Sequence, residues 1–390
     1  MSCRRSAGWI RSSLPGDEPQ GGDRMAGVCQ NSALTPLFTP RFALKSKEFC
    51  MIRRMLLAVA AATAVFAALP AAAQLNLYCS SPNTAWCQGM ANGFEKATGV
   101  KVAVVQKATG EMLAQVKAER ANPKGDIWWA GAADSYLQAA EEGLLETYQS
   151  TNLKDLYDWA RRISEISQYR VTGVYGGILS LGYNTELQAK KKLPVPKCWK
   201  DLLDPAYKNE VMLGNPNSSG TAYLMLASLV QVFGEDEAFK YMKALNANVS
   251  SYARSGIGPM TAVKQGEIYV GSTVLHGVIN EIAAGFPVLP ALPCEGVGYE
   301  IGSMAIIKGA RNLDSAKRFV DWALTVDAQK IGLAIKEFAI PTNKNVPLPA
   351  TVPNLTEFKV INYDFAKYGS SETRKRLLER WEKEIGQAPR

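Results

Sequence analysis

Three segments of the sequence place small hydroxylated side chains where a predicted strand is followed by a predicted helix. They are residues 79–84 (CSSPNT), 109–111 (TGE) and 215–221 (NPNSSGT). The start of a helix presents unpaired backbone N–H groups and the positive end of the helix dipole, and nearby hydroxyls add further donors for an anion. The candidate anion contacts are therefore Ser80, Ser81, Thr109, Ser218, Ser219, Gly220 and Thr221.

Plain helix capping is the alternative interpretation of these segments, because Ser, Thr and Asn are favoured at helix starts. Residues 218–221 contain three hydroxyls in four positions, which is more than one cap uses. Gly220 would also let a ligand approach the backbone closely. We therefore favour an anion site over simple caps.

Two further residues, His276 and Glu300, extend the candidate ligand contacts. His276 is the one histidine of the chain and lies between a predicted strand and a predicted helix. A lone histidine is often structural, so its residue type leaves both roles open. Glu300 lies between Tyr299 and Ile301 in an apolar stretch. A buried carboxylate needs a partner, which a ligand hydroxyl or amine would supply.

The sequence lacks the motifs of the common catalytic and nucleotide-binding sites. It contains no G-x-S-x-G elbow, no H-E-x-x-H, no P-loop and no G-x-G-x-x-G after a strand. We therefore expect a binding protein rather than an enzyme, with no cofactor and no bound metal. The rival from another class is a secreted hydrolase that uses His276.

The order of the elements indicates an α/β fold. Predicted strands and helices alternate from residue 75 onward, which is typical of a parallel sheet. The length of 390 residues suggests two domains at about 150 residues each. Two glycine-interrupted apolar stretches, 174–183 and 299–307, could cross between them.

The first 73 residues resemble targeting sequence rather than folded protein. Residues 51–73 combine two arginines, an apolar run of about 15 residues and a terminal Ala-Ala-Ala, which is the pattern of a cleaved signal peptide. A membrane span is the alternative, but it needs about 20 apolar residues. Because a signal peptide must come first, we expect residues 1–50 to be an untranslated or disordered leader and Gln74 to begin the mature chain.

The net charge of +8 belongs mostly to this leading segment. Residues 1–73 hold nine Lys or Arg and four Asp or Glu, so the other 317 residues have a surplus of only three positive charges. A nucleic-acid partner would require a basic surface on the folded part. We therefore expect no nucleic-acid binding.

Four cysteines remain after residue 73: Cys79, Cys87, Cys198 and Cys294. An even number in an exported protein suggests two disulfides. Three pairings are possible, and the short separation favours Cys79–Cys87, which leaves Cys198 with Cys294. A zinc site is the rival, but the chain has no C-x-x-C and a single histidine.

Several motifs together resemble a periplasmic substrate-binding protein of an ABC importer, of the two-lobed type II class. The matching stretches cover most of residues 74–390. They include LNLYCSS at 75–81, GDIWWAGAADSYLQAAEEGLLETY at 125–148, GYNT at 182–185, the P-x-C-W-x-D-L-L-D-P-A-Y-K block at 196–208, and NPNSSGTAYLMLASL at 215–229. The NPNSSGTAY and CW–DLLDP blocks resemble the subgroup of ferric-ion, hexose-phosphate and phosphonate binders.

The resemblance implies two α/β lobes joined by two crossover strands that form a hinge, with helix starts aimed into the cleft. It implies lobe 1 over residues 74–178 and 300–390, and lobe 2 over residues 179–299. The implied function is a periplasmic receptor, monomeric, that binds a small anionic solute and delivers it to an inner-membrane ABC permease. An organophosphate, a sugar phosphate or a phosphonate would fit, and ferric iron is the alternative cargo.

The position after the strand predicted at residues 268–274 distinguishes these ligands. Ferric binders of the subgroup have a tyrosine pair there, whereas this chain has Val-Leu-His-Gly at 274–277. Hexose-phosphate binders have His-Asp there and a glutamate 24 residues later. His276 and Glu300 match two of these positions, and Gly277 departs from the aspartate.

Overall fold

The fold is described from a computed structural model that covers residues 74–353 and 358–388. The predicted leader (1–50) and signal peptide (51–73) lie outside the described residues. No helix in the described ranges has the length and apolar character needed to cross a bilayer.

A first group of parallel strands forms one end of the sheet. It contains β1 (Gln74–Cys79), β2 (Lys101–Gln106) and β3 (Ile127–Ala132), with β1 between the other two. The helices that follow these strands are α1 (Thr84–Thr98), α2 (Thr109–Ala118) and α3 (Ala133–Glu141). We call these six elements the first lobe. Helix α1 ends at Gly99, whose φ of 75° closes it with a left-handed residue.

Two long antiparallel strands connect this group to the rest of the sheet. They are β4 (Thr172–Asn184) and β9 (Tyr299–Ile306). Residues 172–178 of β4 pair with β9, whereas residues 179–183 pair with β7 on one side and residues 181–184 pair with β8 on the other. These strands coincide with the apolar stretches predicted to cross between domains. They add antiparallel pairs to the predicted parallel strands, because β4 and β9 run antiparallel to each other and to their neighbours β7 and β3.

A second group of strands repeats the arrangement. It contains β5 (Val211–Gly214), β6 (Val249–Ala253) and β7 (Val270–Val274), which pair in parallel with β5 in the centre. Their helices are α6 (Gly220–Phe233), α7 (Glu235–Leu245), α8 (Gly258–Lys264) and α9 (Leu275–Ala283). We call these elements the second lobe. The strand order across the described sheet is β2-β1-β3-β9-β4-β7-β5-β6, with β8 and β10 paired to β4.

The remaining elements complete the layers around this sheet. The short strands are β8 (Val288–Ala291) and β10 (Ile340–Pro341). The other helices are α4 (Asp158–Ile166), α5 (Thr185–Lys191), α10 (Leu313–Ala323), α11 (Val326–Ala334), α12 (Phe365–Tyr368) and α13 (Ser371–Trp381). Short 3₁₀ segments occupy Thr151–Asp155, Trp199–Leu203 and Pro205–Tyr207, and a π-turn follows at Glu382–Gly386.

The C-terminal helices contact both lobes. In α10, Phe319 packs on Phe94 of the first lobe with ring centroids 5.1 Å apart. In α13, Trp381 packs on Tyr252 of the second lobe at 5.2 Å, while the Ser371 N–H donates to Glu141 of the first. The lobe boundaries predicted from the sequence stay a prediction, since these contacts assign α13 to neither lobe alone.

Two disulfides connect neighbouring elements, as predicted. Cys79 at the end of β1 is joined to Cys87 in α1, and Cys198 is joined to Cys294. Within the described residues, the one cluster with metal-ligand types is Cys198, Cys294 and Glu295. Its cysteines are already joined to each other, so the disulfide assignment holds there over the zinc alternative.

Candidate ligand-binding site

A cavity of about 240 Å³ lies between the two lobes at the carboxyl ends of their parallel strands. Open α/β sheets place ligands at this end of the strands. Eight of the nine candidate site residues line the cavity: Ser80, Ser81, Thr109, Ser219, Gly220, Thr221, His276 and Glu300. Ser218 is the exception among the residues that the sequence singled out.

The loop after β1 brings two buried hydroxyls to the cavity. Ser80 is 5% exposed, and its Oγ accepts a hydrogen bond of 2.8 Å from the indole N–H of Trp128. Ser81 is 3% exposed, and its Oγ accepts the Asn83 N–H at 3.1 Å. Because both oxygens already accept from the protein, their own protons remain available to a ligand. The Cys79–Cys87 disulfide encloses this loop and holds it against α1.

Thr109 opens α2 where three backbone segments come close together. A Cβ added at Gly131 would lie 2.4 Å from Thr109 Oγ1, and one added at Gly220 would lie 3.2 Å from the same oxygen. Gly131 also has a φ of +95°. Glycine is therefore needed at Gly131, and Gly220 lets the start of α6 lie against the start of α2. The predicted close approach of a ligand to Gly220 stays a prediction.

The three hydroxyls at the start of α6 have different hydrogen-bond partners. Ser219 caps the helix, since its Oγ accepts the Ala222 N–H at 3.2 Å. Thr221 Oγ1 donates to Glu300 Oε2 at 3.0 Å inside the cavity. Ser218 turns away, and its hydroxyl donates to the Arg254 carbonyl at 2.6 Å. The capping interpretation is therefore correct for Ser219, whereas the anion-site interpretation stays a prediction for the residues that face the cavity.

Helix starts from both lobes border the cavity. Neither α2 nor α9 has a side-chain cap within the described residues, because the residues before them are Ala108 and Val274. Uncapped first turns leave backbone N–H groups for another partner. Their dipoles make this part of the cavity favourable for negative charge.

Glu300 of β9 lies 96% buried in the cavity wall. Its Oε1 accepts the Tyr175 hydroxyl at 2.7 Å, and its Oε2 accepts Thr221. Burial, followed by the negative charge of Glu300, raises the pKa of Tyr175 well above its usual range. Tyr175 is therefore a neutral donor at physiological pH. We expected the buried Glu300 carboxylate to need a partner. These two hydroxyls of the protein are its partners.

His276 lies one residue into α9 and 7% exposed, beside a second buried carboxylate. Its Nε2 is 3.7 Å from Glu337 Oε1, while its Nδ1 has no hydrogen-bond partner in the described structure. Glu337 accepts the side-chain N–H groups of Asn83 and Asn280, each at 2.8 Å. Gly277 lines the cavity next to His276, where its lack of a side chain leaves space.

The lobes also touch directly beside the cavity. The Gly110 N–H donates to the Ser218 carbonyl at 2.9 Å, which joins the start of α2 to the segment before α6. Next to it, Arg254 of the second lobe forms an ion pair with Glu111 of the first. These contacts bridge the cleft, so the structure has the closed arrangement of the two lobes.

Several cavity residues were not found from the sequence. Tyr175, Asn280 and Glu337 come from a crossover strand, the middle of a helix and a loop. None of the three lies at a strand-to-helix junction, which is the feature that predicted the anion contacts. A weak signal existed for Glu337, because it is a lone carboxylate before the apolar run Phe-Ala-Ile at 338–340.

A ligand cavity between two α/β lobes joined by antiparallel crossover strands defines a two-lobed solute-binding protein of the type II class. The chain belongs to the bacterial extracellular solute-binding protein family, whose model matches residues 122–368. This membership agrees with the resemblance noted from the sequence motifs. Proteins of this family bind small solutes for ABC permeases.

Two relatives are similar over nearly their whole length. An uncharacterized protein of Haemophilus influenzae is 42% identical over 331 residues, which cover 84% of this chain and 95% of that protein. The periplasmic binding protein AfuA from Actinobacillus pleuropneumoniae, solved with exogenous fructose 6-phosphate bound, is 40% identical with a TM-score of 0.79. That comparison covers 81% of this chain and 99% of AfuA.

More distant relatives have other named ligands. A Salmonella typhimurium protein provisionally named as a 2-aminoethylphosphonate-binding periplasmic protein is 27% identical, over 63% of this chain and 71% of its own. The major ferric iron-binding protein of Neisseria meningitidis is 23% identical, over 82% of this chain and 96% of its own. The family thus includes named binders for each ligand class that the sequence suggested.

Proposed function

We propose that this protein is a periplasmic receptor for a phosphorylated polyol, with a sugar phosphate as the best candidate. It holds the ligand between its lobes and delivers it to an inner-membrane ABC permease, acting as a monomer without catalysis. Export would follow from cleavage of residues 51–73, and N-terminal sequencing of the secreted protein should find Gln74. Residues from 1–50 on the mature protein would contradict this part.

The anionic head is assigned to the helix starts. The observation that carries the proposal is the convergence of Ser80, Ser81 and Thr109 on one cavity, beside the first turns of α2 and α6. Phosphate oxygens are strong acceptors, and backbone N–H groups at a helix start are a common phosphate site. Thr109 is the clearest contact, because its hydroxyl makes no hydrogen bond within the described residues.

The polar remainder of the ligand is assigned to the opposite wall. His276 and Glu300 supply one ring and one carboxylate to the same cavity. Carboxylates that already accept two donors still have free lone pairs, which suit the hydroxyls of a sugar. The 40% identity to a protein solved with fructose 6-phosphate supports this ligand class over the other two.

Ferric iron is the less favoured cargo. Iron(III) prefers hard anionic oxygens such as phenolates. Tyr175 is the one tyrosine among the described residues that line the cavity, and burial holds its pKa well above the usual range. No group of three close histidine, cysteine or acidic ligands occurs at the cavity in the described residues.

Isothermal titration calorimetry with a panel of ligands tests the proposal. The panel contains fructose 6-phosphate, glucose 6-phosphate, 2-aminoethylphosphonate, inorganic phosphate and ferric citrate. We expect a sugar phosphate to bind most tightly, without release of inorganic phosphate during the titration. Tight iron binding with no organophosphate binding would contradict the proposal, and turnover that the His276→Ala variant lacks would favour the hydrolase.

A matched pair of variants locates the anion contact. Thr109→Val removes a hydroxyl from the cavity while keeping the side-chain shape, so we expect about tenfold weaker sugar phosphate binding. Ser218→Ala removes a hydroxyl that points to Arg254 instead, and we expect less than about threefold. Equal effects of the two variants would refute this assignment of the anion site.

A further inference from the structure

Glu337 joins the two lobes through its carboxylate. It lies in the coil between α11 and β10 and is 6% exposed. Its Oε2 accepts the side-chain N–H of Asn83 from the first lobe, and its Oε1 accepts that of Asn280 from the second. The carboxylate therefore bridges both lobes in the closed arrangement.

The two asparagines are fixed so that both must donate to Glu337. Asn83 Oδ1 accepts the Trp86 N–H at 3.3 Å as the cap of α1. Asn280 Oδ1 accepts the Phe338 N–H at 3.0 Å. Because each amide oxygen is occupied by a backbone donor, each amide nitrogen faces the carboxylate. Residue 337 therefore has to be an acceptor at both of its terminal atoms.

One basic side chain lies near the Glu337 carboxylate. Within the described residues, the one basic group within 4 Å is His276 Nε2, at 3.7 Å. A buried carboxylate needs compensation by donors or by positive charge. Two lone-pair sites remain on its oxygens after the asparagine bonds, and the residue lines the ligand cavity.

We propose that Glu337 determines specificity by accepting a hydrogen bond from a hydroxyl or ammonium group at the end of the ligand remote from its anionic head. This inference rests on the proposed function and adds a contact to it. Asn83 and Asn280 hold the Glu337 carboxylate between the lobes, and a ligand with such a donor binds the carboxylate only in this position. Glu337 forms no such hydrogen bond with an anion that lacks the donor, so this contact adds nothing to the affinity for that anion.

The test compares Glu337→Gln with the wild type on ligands that share a head but differ in their donors. Fructose 6-phosphate and 2-aminoethylphosphonate carry hydroxyl or ammonium donors, whereas inorganic phosphate and ethylphosphonate have no remote donor. Of the two donor-bearing ligands, we consider the one that the wild type binds more tightly. We expect Glu337→Gln to lower the affinity for this ligand by about tenfold or more. Because Gln offers one acceptor fewer to Asn83 and Asn280, Glu337→Gln weakens lobe closure for every ligand; we therefore expect the donor-free anions, measured directly or by competition, to lose about tenfold less affinity than the donor-bearing ligand. The ligand that loses affinity identifies the donor as hydroxyl or ammonium.

Glu281→Gln is the matched control. Glu281 is a buried carboxylate on α9, 8% exposed, which pairs with Lys264 and does not line the cavity. We expect Glu281→Gln to lower thermal stability while leaving the ratio of donor-bearing to donor-free affinities unchanged. Equal weakening of both ligand classes by Glu337→Gln, or no weakening of either, would overturn the inference. Failure of the wild type to bind any organophosphate would instead overturn the proposed function, and this inference with it.

Discussion

Gly110 lies at the contact between the lobes, and adding one methyl group there tests whether ligand binding depends on that contact. A Cβ on Gly110 would lie 2.3 Å from the Asn217 carbonyl oxygen and 2.9 Å from that of Ser218. Ordinary contacts of a Cβ begin at 3.4 Å, so the 217–218 backbone would have to retreat by about 1 Å. Both obstacles are backbone atoms, which cannot rotate away as a side chain can.

The expected loss in the Gly110→Ala variant has two parts. Forcing the backbones apart removes the 2.9 Å bond from the Gly110 N–H to the Ser218 carbonyl, at a net cost of about 1 kcal/mol. Overpacking in a well-packed contact costs about 1–3 kcal/mol more. The closed arrangement is therefore destabilised by about 2–4 kcal/mol, which corresponds to ligand binding at least about 30-fold weaker.

The same substitution should not harm the lobes themselves. Alanine is favoured over glycine within a helix by about 1 kcal/mol, and Gly110 is in the first turn of α2. We therefore expect the melting temperature of the ligand-free protein to stay the same or to rise. Calorimetry with fructose 6-phosphate measures the affinity, and small-angle scattering measures the ligand-induced compaction.

The neighbouring variant Glu111→Gln is the control for a cleft contact without a steric clash. It breaks the ion pair with Arg254, whose side chain is 80% exposed. Exposed pairs contribute less than about 1 kcal/mol, so we expect less than about fivefold weaker binding. The closure argument is refuted if Gly110→Ala binds within about threefold of the wild type and compacts equally on adding ligand.

Two further predictions concern stability rather than binding. Removing the Cys198–Cys294 disulfide, which spans 96 residues, should lower the free energy of unfolding by about 4–5 kcal/mol. Removing the Cys79–Cys87 disulfide, which spans 8 residues, should lower it by about 2–3 kcal/mol. Urea titrations of the two variants measure these losses, and a larger loss for the shorter loop would contradict the prediction. Burial raises the pKa of Asp134 from 3.8 to about 6. Between about pH 4 and pH 6 the folded protein therefore keeps a proton on Asp134 that the unfolded chain has lost. The free energy of unfolding should fall by about 3 kcal/mol as the pH rises through this range. Asp134→Asn should lack this contribution, and a wild-type-minus-variant difference that is constant across this pH range would show the prediction to be wrong.

The sequence predicted the parts of the fold and site that depend on local order along the chain. Alternating strands and helices place each strand-to-helix junction at the same edge of a parallel sheet. Ser80, Thr109 and Ser219 therefore meet in one cavity although they are far apart in sequence. The crossovers were also predictable, because residues buried on both faces form long apolar runs in β4 and β9.

The parts that depend on long-range packing could not be predicted in this way. Nothing local indicates that Ser218 turns toward Arg254 while Thr221, three residues later, faces Glu300. Glu337 reaches the cavity because its loop, which follows α11, is hydrogen-bonded to Asn280 of α9, a long-range contact that the residue pattern does not encode.

A crystal structure of the protein with fructose 6-phosphate would show whether the helix starts bind the phosphate. We predict phosphate oxygens about 3 Å from Thr109 Oγ1 and from the first N–H groups of α6, with the sugar toward His276 and Glu337. A phosphate group bound outside this cavity, or one lying against Glu337 with the sugar at the helix starts, would contradict it.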